Sequence, residues 1–144
     1  MMNKKAQIFK DYLDEKKITC FEVQELKDDP VNTVVFRSSI DVEGQQLPTL
    51  VILDSSIYAM IRVRVANAAL KKGNETELVK TINELNGKYK IFKYYFADDG
   101  ALILDSYLLT RTEELDCDMV YTVLDVLVKH LTAEYKNIMK LIWA

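Results

Sequence analysis

Glycine and proline are scarce in this chain of 144 residues, which has four glycines and two prolines. The glycines stand at positions 44, 73, 87 and 100, too far apart to form a loop that wraps a phosphate group. Such loops need clustered glycines, because only glycine lets successive backbone N–H groups approach an anion closely. The sequence therefore excludes a P-loop or Rossmann nucleotide-binding protein, and the few turn residues favour long, regular elements.

Histidine and cysteine are rare as well, since the chain has one histidine, His130, and two cysteines, Cys20 and Cys117. They are too few and too widely spaced for a structural zinc site or a disulfide framework. Cys117 stands between two aspartates, which disfavour a thiolate, and His130 is expected to be a partly exposed residue beside the core. We therefore predict that the protein is not an enzyme and binds neither a metal nor a cofactor.

The chain also lacks a long apolar segment and an excess of positive charge. Its longest apolar runs, such as 50–53 and 57–61, fall far short of the ~20 residues that cross a bilayer. Residues 1–17 carry charges every few positions, unlike a secretory signal. The 22 acidic and 19 basic residues give a net charge of −3, which opposes binding to nucleic acid. These features predict a cytoplasmic protein that binds neither a membrane nor nucleic acid.

Hydrophobic periodicity predicts helices in residues 3–17, from Asn74 to Gly87, and from Thr112 or Asp116 to the end of the chain. Asn74 and Glu77 are spaced as in a capping box, and Gly87 is placed to end the second helix. Apolar and polar residues alternate between these helices, and a D-G turn at 98–100 joins the last two strands. The predicted strands are 19–26, 33–42, 47–54, 57–65, 89–97 and 101–109.

This order of elements predicts the fold class. No helix separates the consecutive strands, so neighbouring strands should be antiparallel. Three amphipathic helices that pack only on one another would leave the sheet bare. We therefore predict one domain over residues 1–144 with an α+β fold, a two-layer sandwich of order α-β(3–4)-α-β(2)-α, with the helices on one face of an antiparallel sheet.

The aromatic segment 89–96, with the sequence YKIFKYYF, is the most unusual local feature. Its apolar side chains fall on both faces of the predicted strand, and the next strand repeats this pattern, with Leu102 and Leu104 opposite Ile103 and Tyr107. Helices cover only one face in a two-layer fold, and a second copy of the chain is the simplest cover for the other. This pattern predicts a homodimer. Stacking on nucleic acid is the lesser alternative, because the chain is acidic.

Arg37, Arg62 and Arg64 share the strand phase opposite the main apolar face. They are candidates for a basic platform that binds an acidic peptide or an anionic ligand. The alternative is that they are solvated residues that pair with Asp41 or Asp105. An error of one residue in strand phase would exchange the two faces, so the assignment requires helices on the alternate face. The predicted partner or dimer contacts are Arg62, Arg64, Tyr95, Ile103 and Tyr107.

Four segments carry a resemblance to a known family: 82–87 (INELNG), 93–96 (KYYF), 98–100 (DDG) and 102–109 (LILDSYLL). Together they resemble YbjN-domain proteins, which share the type III secretion chaperone-like fold. The shared pattern is a helix that ends in Leu-Asn, a strand that begins with a basic residue and an aromatic one, a D-G hairpin and a hydrophobic strand. The resemblance assigns Asn86 to a helix terminus and Gly100 to a hairpin turn, and it brings no catalytic residues.

The resemblance implies a non-enzymatic cytoplasmic binding module that is often dimeric. Relatives on this fold include secretion chaperones, which hold an extended segment of a client protein, and proteins described as sensory transduction regulators. The first hypothesis is a dimeric chaperone-like module that holds a partner segment through apolar grooves or strand addition. The second is a regulator that binds a small ligand between the helices and the sheet, near Arg62 or Arg64. Exposed apolar area on the sheet favours the first, and a closed pocket with converging polar groups favours the second.

Overall fold

The computed structural model of the chain describes residues 2–143. They form three helices and six strands in the predicted order, with four strands between the first two helices. The helices are α1 (Lys4–Glu15), α2 (Glu75–Lys88) and α3 (Cys117–Ile142). The strands are β1 (Glu22–Glu25), β2 (Val34–Val42), β3 (Gln45–Leu53), β4 (Tyr58–Ala66), β5 (Phe92–Phe96) and β6 (Leu102–Leu109).

All six strands belong to one antiparallel sheet with the order β1-β2-β3-β4-β6-β5. Two of its turns contain a glycine with positive φ: Gly44 (79°) joins β2 to β3, and Gly100 (82°) joins β5 to β6. At Gly100 a Cβ would also lie 3.2 Å from the carbonyl oxygen of Leu70, so the turn requires glycine for two reasons. Both turns follow from the Glu-Gly and Asp-Gly pairs in the sequence.

The three helices pack on one face of the sheet, which we call the covered face. Phe36, Ile61 and Leu104 point to it from three different strands and are fully buried. Leu127 and Leu131 of α3 are equally buried on the other side of this core. The arrangement confirms the predicted α+β two-layer fold with helices on one face of an antiparallel sheet.

Two polar side chains hold α1 against the sheet. Asn3 caps the helix, and its amide donates a hydrogen bond to the carbonyl of Leu53 at 2.9 Å. The buried ammonium group of Lys5 donates to the carbonyls of Ser56 and Tyr58, each at 2.7 Å. Burial lowers the pKa of Lys5 from its ordinary value. These bonds fix α1 over the turn between β3 and β4.

The first strand differs from the prediction of a half-buried strand over 19–26. The observed β1 has four residues, and all four are exposed. It lies at the edge of the sheet and pairs with β2 alone. The alternation of Phe21 and Val23 with polar residues indicated a strand correctly, but edge placement removes the burial that alternation normally implies.

The end of α2 also differs from the prediction. Gly87 lies inside the helix, which continues to Lys88, and β5 begins only at Phe92. At the other end Asn74 occupies the N-cap position, but its side chain makes no capping hydrogen bond. Its amide instead accepts from the N–H of Lys71 at 2.8 Å and donates to the carbonyl of Ala69 at 2.8 Å. The side chain closes the preceding loop and is not available to the helix.

Asn86, which the resemblance assigns to a helix terminus, lies in the last turn of α2 and contacts the edge strand β5. Its Oδ1 accepts from the N–H of Tyr94 at 2.7 Å, and its Nδ2 donates to the carbonyl of Tyr94 at 3.0 Å. The amide therefore occupies two of the backbone groups of β5 with which an added strand would pair. This contact disfavours strand addition at the β5 edge.

Candidate interaction surface

The sheet face opposite the helices, which we call the open face, carries all five residues that the sequence predicts as contacts. Arg62 and Arg64 come from β4, Tyr95 from β5, and Ile103 and Tyr107 from β6. In the register, Arg64 and Tyr95 flank Ile103, and Met60 lies opposite Tyr107. The helices cover the alternate face, which is the condition that the prediction required.

A polar cluster of Arg62, Asp105 and Tyr107 lies at the centre of the open face. The guanidinium of Arg62 donates two hydrogen bonds to the Asp105 carboxylate, from Nε at 2.9 Å and from the terminal nitrogen at 2.8 Å. The Tyr107 hydroxyl donates to the same carboxylate at 3.0 Å. Hydrogen bonds to Asp105 raise the pKa of Arg62, while burial and the Asp105 carboxylate raise the pKa of Tyr107. The two hydrogen bonds between Arg62 and Asp105 hold both side chains in one relative orientation.

The other two arginines of the open face already have partners. Arg64 donates to the carboxylate of Asp99 at 2.8 Å, and Arg37 donates to the side-chain amide of Gln24 at 3.0 Å. Leu50 separates Arg37 from Arg62 in the register. The three arginines thus share one face, as predicted. Arg62 pairs with Asp105 as the alternative expected, but Asp105 is buried and not solvated.

Ile103 is packed within the open face, whereas Tyr95 lies on its surface. Ile103 is only 4% exposed, although no helix covers this face. Tyr95 is partly exposed, and its ring centroid lies 5.8 Å from the central carbon of the Arg62 guanidinium. Among the predicted contacts, Ile103 therefore supports the surface, and the arginine and tyrosine side chains form it.

Next to the polar cluster lies an apolar surface that we call the open-face patch, formed by Ile52, Tyr58, Met60, Tyr107 and Leu109. The register places Ile52, Met60 and Tyr107 in one row across three strands, with Tyr58 and Leu109 as the adjacent pair. Leu109 is 77% exposed, Tyr107 52% and Tyr58 50%. Large apolar side chains that lie together in water are typical of interaction surfaces.

A second feature, which we call the end groove, lies between the carboxyl-terminal part of α3 and the ends of β3 and β4. It has a volume of about 960 Å³ and is open to solvent. Its apolar lining includes Leu47, Val65, Tyr135, Met139 and Trp143. No local pattern in the sequence indicates this groove, because residues from three distant parts of the chain meet there only in the fold.

His130 differs from the prediction of a partly exposed residue. It is buried, its Nε2 lies 2.7 Å from the hydroxyl of Tyr94, and its ring packs against Tyr89 and Phe92. The Nδ1 atom is buried without a hydrogen-bond partner in residues 2–143. Burial lowers the pKa of His130, so the neutral imidazole is favoured. Its helical position beside Leu127 and Leu131 predicted a place at the core, but not the aromatic residues that enclose it.

Cys117 is a buried thiol at the start of α3. Burial, together with Asp116 and Asp118, raises the pKa of Cys117 to about 11, which agrees with the prediction that a thiolate is disfavoured there. Cys20, in contrast, is exposed, and both cysteines are free thiols. Over residues 2–143, acidic, histidine and cysteine side chains nowhere gather in threes as they would to hold a metal ion. None of the three described helices is both long and apolar enough to span a bilayer.

No protein-family model matches the sequence, and no curated protein has a similar sequence. The structure is nevertheless similar to a chain in the crystal structure of the ExsC–ExsE complex. The two chains align with a TM-score of 0.56 over 94% of this chain and 96% of the other, at 13% sequence identity. At this identity the likeness shows the fold alone. It agrees with the predicted type III secretion chaperone-like fold class, whereas membership of the YbjN family stays a prediction.

Proposed function

We propose that this chain is a non-enzymatic, chaperone-like protein-binding module, one domain over residues 1–144, that forms a homodimer and holds a segment of a partner protein. The observation that carries the proposal is the open-face patch. Its exposed tyrosines and leucine lie together on a sheet face that none of the three helices in residues 2–143 covers. Aromatic residues are enriched in protein interfaces, where their large apolar area is removed from water.

The size of the open face supports a second copy of the chain as its cover. Strands β2, β3 and β4 each have nine residues, which corresponds to a length of about 30 Å. Six strands spaced by about 4.8 Å give a width of about 24 Å. Because β1 has only four residues and β5 only five, the mean strand length is nearer to about 25 Å, and the face offers roughly 600 Å². This is about three quarters of the roughly 800 Å² that each partner contributes to an interface of standard size.

The polar cluster supports the same role for Arg62 and Tyr107. Asp105 is 4% exposed and already accepts hydrogen bonds from both residues. An interface that covers this cluster therefore buries a charge pair whose members satisfy each other, and it leaves no single charge unpaired. Arg64 and Tyr95 lie beside the cluster and complete the proposed contact set with Ile103 beneath them.

The likeness to known proteins supports a binding role. The similar chain belongs to a complex of two proteins, ExsC and ExsE. The sequence resemblance to YbjN-domain proteins implies a binding module of the same general kind. We place the protein in the cytoplasm, in agreement with its two free thiols.

The second candidate function, a regulator that binds a small ligand, is favoured by one observation. The end groove lies between α3 and the sheet and has Arg64 in its lining, as that hypothesis expected. However, the guanidinium of Arg64 is occupied by Asp99, and the groove is open to solvent. Sites for small molecules typically enclose most of the ligand surface. Protein binding is therefore the better-supported function.

The test of the proposal is the solution mass of the wild type and two variants, measured by light scattering coupled to size exclusion over a dilution series. Leu109→Glu places a charge in the open-face patch, and Val79→Glu places the same charge on α2, where Val79 is also exposed. We expect about 33 kDa, twice the monomer mass of 16.6 kDa, for the wild type and for Val79→Glu. We expect a monomer for Leu109→Glu.

A wild type that stays monomeric at every concentration would contradict the dimer. A dimer that Val79→Glu dissociates and Leu109→Glu does not would move the interface from the sheet to α2. Circular dichroism of both variants checks that they are folded, which their exposed positions favour.

A further inference from the structure

The end groove combines an apolar floor with an exposed aromatic side chain at its rim. Leu47, Val65 and Met139 lie along it, and Trp143, which is 63% exposed, stands at one end. The indole ring is fixed from one side, because the ammonium of Lys71 lies 3.8 Å from its centroid. A tryptophan held in place but left in water is typical of residues that contribute most to binding energy in protein interfaces.

The charges of the groove differ in sign from the charge of the whole chain. Three basic residues line it, Arg64, Lys136 and Lys140, against one acidic residue, Glu43, whereas the chain carries −3 overall. Arg64 is already paired with Asp99, so the positive charge that a partner can meet comes from Lys140 and Lys136. Lys136 is 3.7 Å from Glu43, and this exposed pair is weak because water screens it. Lys140 forms no salt bridge within residues 2–143. The groove is thus a locally basic site on an acidic protein.

We propose that the end groove binds a segment of a partner protein in which large apolar side chains are flanked by carboxylates. The inference rests on the proposed function, since it assigns a place and a chemistry to the segment that the module holds. The apolar side chains lie on the floor between α3 and the sheet, and the carboxylates face Lys140 and Lys136. Charge complementarity selects the acidic partner, and the open shape of the groove admits a chain that enters and leaves it.

Trp143 is the only tryptophan in the sequence, so its fluorescence reports on this groove directly. The probe is a short synthetic peptide with leucines flanked by glutamates and without tryptophan. The control peptide has lysine in place of each glutamate. We expect the acidic peptide to shift the Trp143 emission to shorter wavelength with saturation, and we expect added salt to weaken its binding.

Two charge reversals on α3 separate binding in the groove from general attraction. Lys140→Glu changes the groove, and Lys129→Glu changes an exposed lysine of the same helix that pairs with Asp125 outside it. We expect Lys140→Glu to lower the affinity for the acidic peptide by about fivefold or more, and Lys129→Glu to have little effect on it. Equal binding of both peptides, equal loss in both variants, or no shift at any peptide concentration would overturn the proposal.

The outcome is independent of the dimer test. A dimer that binds no acidic peptide overturns the groove assignment and leaves the role of the open face intact. A monomer that binds the peptide with the expected response to Lys140→Glu supports the groove and contradicts the dimer. Citrate, a small anion without apolar side chains, is a further control. If citrate shifts the Trp143 emission as strongly as the leucine-containing peptide does, the groove binds small anions and the proposal of a protein segment is overturned.

Discussion

The two faces of the sheet follow the same strands but differ in how their side chains are satisfied. On the covered face Phe36, Ile61 and Leu104 are fully buried under the helices. On the open face the adjacent residues of the same strands include a charged pair, Arg62 and Asp105, and an exposed apolar patch that contains Tyr107. The side chains of the covered face are buried by apolar packing within the chain. The open face has a hydrogen-bonded polar cluster beside apolar side chains that remain exposed to water.

The two faces therefore have different roles, one in folding and the other in binding. The covered face has apolar partners from its own helices, so substitutions there should act on the free energy of unfolding. The patch on the open face has no such partner in this chain, so substitutions there should act mainly on association.

Ile61 and Met60 are neighbours on β4 that point to opposite faces. Ile61→Ala removes fully buried apolar volume and should lower the free energy of unfolding by about 2–5 kcal/mol. Met60→Ala lies on the half-buried open face and should cost about 1 kcal/mol or less in the monomer. Urea unfolding of both variants at a concentration where the protein is monomeric measures the difference. Equal losses would contradict the division between the faces.

Asp105→Asn tests whether the polar cluster stabilises the open face. The substitution removes the charge that accepts two hydrogen bonds from Arg62 and one from Tyr107, and it should cost about 1–3 kcal/mol. Asp125→Asn, in the exposed pair with Lys129, is the control and should cost about 0.5 kcal/mol or less. If Asp105→Asn unfolds at the same urea concentration as the wild type, the cluster has no structural role.

Asn86→Ala tests the edge of the sheet, where the two faces meet. It removes both hydrogen bonds to the backbone of Tyr94 and should cost about 1–2 kcal/mol. It also frees the β5 edge to pair with other chains, so we expect faster aggregation on warming. Asn83→Ala, at an exposed position of the same helix, is the matched control. Turbidity and thermal unfolding that are identical in the two variants would refute the proposed blocking role.

His130, which is buried on α3, should make the free energy of unfolding depend on pH. Burial lowers the pKa of the folded histidine below its ordinary value of 6.5, with Glu134 opposing and Lys88 reinforcing the shift. Below pH 6.5 the unfolded state therefore binds more protons than the folded state does. The free energy of unfolding decreases as the pH is lowered, by at most about 1.4 kcal/mol per pH unit. The His130→Gln variant should lack this part of the decline in urea unfolding between about pH 7.5 and 5. A decline that is the same in both proteins would contradict the assignment.

Much of the fold could be predicted from the sequence, because alternation and helical periodicity are local. The phase of β4 assigned Ile61 and Arg62 to opposite faces, and the Asp-Gly pair gave the turn at Gly100. The errors lie at the two ends of α2, where the preference of a single residue for a cap position does not decide the outcome. Asn74 bonds to its own loop and leaves the helix uncapped. Gly87 stays helical and does not end α2.

The candidate surfaces could be predicted only in part, because they form where distant segments of the chain meet. Strand phase placed Arg62, Arg64, Tyr95, Ile103 and Tyr107 on one face, and it gave Asp105 as a possible partner of the arginines. It could not predict that Ile103 would be buried or that Tyr58 and Leu109 would extend the patch, since both depend on the register of β4 with β6. The end groove depends on the meeting of α3 with two strand ends, which no local pattern encodes.

Hydroxyl-radical footprinting, read by mass spectrometry above and below the association midpoint, tests directly whether the open-face patch is the dimer interface. We expect Tyr58, Tyr107 and Leu109 to lose reactivity when the chain associates, while exposed Val79 on α2 keeps its reactivity. Unchanged reactivity of the patch, or protection of Val79 in its place, would show that the sheet face is not the interface.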